Sequence, residues 1–110
     1  MQYELKLDID RPKIPEKQLA ERLMSLHRFL QFTNPQIVKR RTKHGWHIRI
    51  YFQTEQKLDN VDIVFFQLFL GSDGNREMFN FLRVKSGCKH WNVLFSGKVD
   101  AKGKLLSKET

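Results

Sequence analysis

Two aspartates and a histidine are the side chains of this sequence whose types and spacing could do chemistry. Asp8 and Asp10 stand two residues apart in Leu5-Lys6-Leu7-Asp8-Ile9-Asp10. On a strand that spacing projects both carboxylates from one face, about 6.6 Å apart at their Cα atoms for a rise of ~3.3 Å per residue. Such a pair can share hard cations. Magnesium or manganese takes one or two carboxylates plus substrate phosphates, and two such ions can activate a hydroxyl while supporting a leaving pyrophosphate. His47 follows a basic turn, Thr42-Lys43-His44-Gly45-Trp46, whose amides and side chains could hold a phosphate, and Arg49 stands two residues further along the same face. Two aspartates beside a cation-rich turn suit a nucleoside triphosphate with its metal. The same residues also read as a solvated strand end and a packed histidine, and spacing alone does not separate the two readings.

The elements that must position these groups follow from hydropathy. Tyr3 to Asp10 alternates strictly, with Tyr3, Leu5, Leu7 and Ile9 on one side and Glu4, Lys6, Asp8 and Asp10 on the other, which predicts a strand with one buried face. After Pro12 and Pro15, the segment Glu16 to Phe32 carries Leu19, Leu23, Leu26, Phe29 and Leu30 at helical spacing. Asn34-Pro35 ends that helix. Two extended runs, Ile37 to Thr42 and Trp46 to Phe52, then make a hairpin around Gly45, with Trp46, Ile48, Ile50 and Phe52 facing the core and His47 and Arg49 the opposite side. Asp59 or Asn60 could cap a second helix that is apolar nearly all round and stops at Gly71. Glu77 to Lys85 reads as a strand and Trp91 to Ser96 as a shorter one.

The predicted order is βαββαβ, an α+β chain that closes most simply as a ferredoxin-like or RNA-recognition-motif-like sheet with two helices on one face and the other face open. In that layout Asp8 and Asp10 lie beside His47, and a fourth strand brings Asn80 to the same end. The expected organisation is one core domain, 1–98, with a basic flexible tail, 99–110.

Composition narrows the classes. The chain has 110 residues, 40% hydrophobic and 29% charged, the balance of one folded domain. No apolar run approaches the roughly 20 residues that cross a bilayer. Glu4 stands where a signal peptide would be basic then apolar, and the single Cys88 suits a reducing compartment, so a cytoplasmic location with no membrane partner is expected. A formal charge of +8 and a pI near 9.9 point to a polyanionic partner.

The stretch Leu5-Lys6-Leu7-Asp8-Ile9-Asp10 resembles the hhhDhD motif of the archaeo-eukaryotic primase superfamily. Thr42-Lys43-His44-Gly45-Trp46-His47-Ile48 resembles its second motif, in which a small residue and glycine lead to a strand histidine. The resemblance implies an RNA-recognition-motif-like catalytic core that joins nucleotides on a single-stranded template with magnesium or manganese. It implies Asp8 and Asp10 as catalytic metal ligands and His47 as a catalytic contact to the nucleotide's phosphates. Thr42, Lys43, Arg49 and Arg83 complete the implied nucleotide-binding set. Its third motif, an aspartate after two apolar residues, falls on Asn80, which keeps an oxygen ligand but lacks the charge. Asp73, in a Gly-flanked loop, and Asp62, in the predicted helix, are the other acidic candidates, and the choice among them stays open. The implied partners are single-stranded DNA or RNA, nucleoside triphosphates and a replication partner subunit.

Lys39, Arg40 and Arg41 form a basic stripe near Trp46, Tyr51 and Trp91, which suits phosphate pairing and base stacking in a non-catalytic single-strand-binding module. A charged edge hairpin that resists aggregation has the same composition. The phenylalanines, Phe65, Phe66, Phe69, Phe79 and Phe81 above all, are expected to fill the core. A nicking enzyme on the same kind of sheet would need a second histidine where His47-Ile48 is followed by Arg49.

Overall fold

The computed structural model describes residues 1–94 and forms a small α+β fold. The expected tail, 99–110, and the end of the expected last strand lie outside the described residues. Strand β1 (Gln2–Ile9) is followed by helix α1 (Glu16–Leu30), strands β2 (Thr33–Arg41) and β3 (Trp46–Gln53), and helices α2 (Asn60–Phe69) and α3 (Gly74–Lys85). The three strands form an antiparallel sheet in the order β1-β3-β2.

The alternation in β1 and β3 does what it predicts. Leu5, Leu7, Ile9, Ile48, Ile50 and Phe52 are buried in one core with Leu19, Leu26 and Leu30 of α1 and Ile63, Val64 and Phe66 of α2. Glu4, Lys6, Asp8, His47, Arg49 and Tyr51 have the opposite parity and face away from that core. Helix α2 starts as its sequence predicts, because Asp59 accepts from the Asp62 N–H while the Asp62 carboxylate accepts from the Asp59 N–H.

Three expectations are corrected. Helix α1 ends at Leu30, with Gln31 in the left-handed conformation, and Asn34-Pro35 instead sits at a register irregularity inside β2. Proline is tolerated there because β2 is an edge strand and a bulge leaves its missing N–H unused. The segment from Glu77 to Lys85 is helix, not strand, and Trp91 to Val93 is irregular. Of the five phenylalanines singled out as core, only Phe66 is buried; Phe65, Phe69, Phe79 and Phe81 are exposed.

The free edge of β1 meets Gln67 of α2, the turn after it and the start of α3. Strand residues 6 and 8 turn their peptide groups away from β3, and side chains satisfy them. Gln67 Oε1 accepts from the Lys6 N–H at 2.9 Å, Ser72 Oγ accepts from the Asp8 N–H at 2.9 Å, and Arg76 donates to the Lys6 carbonyl at 3.0 Å. The Asp73 N–H donates to the Asp8 carbonyl at 2.7 Å. A polar network thus closes an edge that a strand would otherwise cover.

Candidate functional site

The hairpin sets the position of His47. Thr42 N–H donates to the Gly45 carbonyl at 2.9 Å, and Gly45 N–H returns a bond to Thr42 Oγ1 at 3.1 Å. Gly45 lies so close to β1 that a Cβ there would stand 1.9 Å from the Ile9 carbonyl oxygen. Only glycine allows that approach, and it fixes the register Ile9↔Trp46, Asp8↔His47.

Asp8 and His47 therefore meet across the strands on the face away from the core. His47 Nε2 stands 3.7 Å from Asp8 Oδ1; the imidazole is buried, and the carboxylate side chain keeps 35% of its exposure. Burial pushes the Asp8 carboxyl above its ordinary value, and the nearby Asp73 and Asp10 push the same way, while His47 and Arg76 oppose them. This carboxylate would gain from a further positive charge.

Of the other predicted groups, Asp10 is exposed just beyond β1 and lines a cleft with Asp73, Ser72, Arg11, Arg22 and Gln18. Thr42 closes the turn, Lys43 is exposed at its tip, and Arg49 is half-buried on the same side of β3 as His47. Asn80 and Arg83 do not join them. Both are on α3, where Asn80 is fully buried, donates to Glu77 Oε1 at 3.0 Å and accepts from Arg83 at 3.3 Å. The expected approach of Asn80 to Asp8 required a fourth strand, and the helix turns its amide into the network instead.

The carboxylates that influence Asp8 are Asp10 and Asp73, so of the two acidic alternatives the loop residue is the neighbour and Asp62 is a helix cap. Asp73 caps α3, with Oδ2 accepting from the Arg76 N–H at 3.0 Å. Sequence reasoning also missed the buried carboxylate of Glu77. It pairs with Arg76 and accepts from Gln67 at 2.8 Å and Ser72 at 2.6 Å. The available signal was Asp73 after Gly71-Ser72, an N-cap residue type ahead of twelve residues without proline.

Among the described residues no three His, Cys, Asp or Glu side chains converge as a metal-binding group. Asp8 and Asp10 are oxygen donors of the right chemistry, but an ion held by them would need its remaining ligands from water or a phosphate.

The basic stripe occupies β2, exposed at every one of its nine positions. Lys39 pairs with Glu16 at 3.0 Å, and the Arg41 guanidinium lies 5.3 Å from the centre of the Trp46 ring, whose Nε1 donates to the Pro12 carbonyl. Among the described residues no helix is long and apolar enough to cross a membrane. No family model, curated protein or solved structure matches the chain.

Proposed function

We propose that the protein is a single-stranded nucleic-acid-binding module, for DNA or RNA, on an RNA-recognition-motif-like sheet. The order β1-β3-β2 is that of three adjacent strands of such a sheet, with Gln67, Ser72, Asp73 and Arg76 bonded to the edge of β1 that a fourth strand would take. The observation that carries the binding reading is β2, a strand exposed along its whole length at the sheet edge, which presents Arg40 beside His47 on the face away from the core and Lys39 and Arg41 on the side of Ile48 and Trp46. Guanidinium and ammonium groups pair with phosphates, and Trp46, half-buried under Arg41, keeps part of its indole at the surface beside them. Anisotropy of a labelled single strand, titrated with wild type and with Arg40→Glu/Arg41→Glu, tests it. The reversal should weaken binding at least tenfold at low salt and leave the fold intact.

A second reading, nucleotidyl transfer of the primase kind, is favoured by the Asp8–His47 pair and the raised Asp8 carboxyl. Asp8 and Asp10 would hold magnesium or manganese delivered with a nucleoside triphosphate, and the metal would supply charge neutralisation at the transferred phosphoryl group. Lys43 and Arg49 would hold the triphosphate, His47 would donate to a phosphate oxygen, and Thr42 would keep the turn closed beneath it. Asn80 and Arg83 have no part in this version of the site. Metal-dependent nucleotide binding that Asp8→Ala abolishes would support the reading. Nucleotide binding indifferent to both metal and Asp8 would leave the binding module alone.

A further inference from the structure

Helix α3 is built inside out. Its buried residues are the polar Glu77 and Asn80, while Met78, Phe79, Phe81 and Leu82 are exposed by 60, 59, 37 and 53%. Its neighbour α2 carries a matching outer stripe at helical spacing, Val61, Phe65 and Leu68, with Phe69 beside it. The four exposed phenylalanines of these two helices alone leave about 400 Å² of aromatic surface in water, at ~200 Å² for a whole side chain. The aliphatic residues bring the apolar total to roughly 700 Å². One side of a standard protein interface covers about 800 Å², of which roughly 500 Å² is apolar.

From this face we infer that the chain self-associates as a symmetric dimer through the outer surfaces of α2 and α3. The area meets what one side of a stable dimer needs. Charge permits a second copy there: a chain of +8 repels itself over most of its surface, but α2 contains one charged residue, Asp62, and of the four on α3 Arg76 pairs with Glu77, Arg83 donates to Asn80, and Lys85 stands exposed at the last position of the helix. Topology agrees, because α3 starts at the edge of β1 while the basic strand β2 is at the opposite edge of the sheet. Two copies joined at α3 keep their basic strands at the two far ends of the dimer. A closed twofold contact also buries the same face on both copies at once and so ends at two chains rather than propagating as a filament.

Sedimentation equilibrium of the full chain over a wide micromolar range tests this. The expected result is a mass close to twice the 13.2 kDa of one chain, shifting to monomer on dilution. Phe81→Glu/Leu82→Glu should give monomer throughout with an unchanged far-ultraviolet circular dichroism spectrum. Should that variant unfold, Met78→Lys or Phe79→Lys, each at an exposed position, must raise the dimer dissociation constant at least tenfold. A wild-type chain that stays monomeric at high concentration overturns the inference, as does a dimer that folded variants of all four positions leave intact.

Discussion

Asp8 and His47 are cross-strand partners on β1 and β3, with carboxylate and imidazole 3.7 Å apart on the sheet face turned away from the core. Neither β1 nor β3 sets this relationship alone. Alternation turns both side chains to one face, the closeness of Gly45 to Ile9 fixes the register, and the bond from Ser72 anchors the Asp8 peptide.

The raised Asp8 carboxyl has a consequence for stability. Below the ordinary value of 3.8, Asp8 is protonated in folded and unfolded chains alike and carries no penalty. As pH rises through the higher folded value, charge must be held in a partly desolvated place, so the fold loses stability relative to a neutral side chain. Asp8→Asn should therefore have the higher Tm at neutral pH, with the difference vanishing below pH 3.8. An Asn variant less stable than wild type at neutral pH would show that the pair with His47 outweighs the burial.

Gly45→Ala should be costly despite its small size. The added methyl meets the Ile9 carbonyl, and relieving that overlap requires β1 and the hairpin to part. The expected loss is about 1–3 kcal/mol in a denaturant titration, together with a shift of the His47 ring resonances. A neutral effect on both would contradict the close approach.

Asn80→Asp would strengthen a metal site if residue 80 stood beside Asp8, as a fourth strand would have placed it. On α3 it has the opposite effect, since a carboxylate there faces Glu77 Oε1 in a buried place that now receives an amide N–H. The expected cost is at least ~1–3 kcal/mol of stability at neutral pH, with no gain in magnesium or manganese affinity by calorimetry.

How much of this was legible in the sequence depends on where polar residues went. Strands β1 and β3 alternate cleanly, and helix α2 has an apolar body with Asp59 as its cap, so each was readable from pattern alone. The approach of Asp8 to His47 followed from strand order. Helix α3 was not readable because its apolar residues suggest the wrong face: Met78, Phe79, Phe81 and Leu82 look like buried positions, whereas Glu77 and Asn80 are the ones enclosed. That inversion depends on Gln67, Ser72 and Arg76 meeting the edge of β1 from 60 to 70 residues away, which no local pattern records. Asn80 and Arg83 were misplaced for the same reason.

If the second reading holds, magnesium or manganese should tighten binding of a nucleoside triphosphate in calorimetry. Asp8→Ala should remove that gain, and His47→Ala should weaken binding by roughly tenfold, the loss of a charge-assisted hydrogen bond. Phosphodiester synthesis on a single-stranded template should then depend on Asp8 and Asp10. Equal binding with and without metal would count against it.

The central claim is that the exposed basic strand binds single-stranded nucleic acid through phosphates. Its most direct test is the affinity of wild type and Arg40→Glu/Arg41→Glu for one labelled single strand, measured from low to physiological salt. Contacts to about four phosphates predict a fall of log K with log salt of slope near −3, at ~0.7 per phosphate. The reversal should make that slope shallower by at least ~1.4. A wild-type affinity indifferent to salt, or a charge-reversed strand that binds as tightly and with the same slope, would contradict the account.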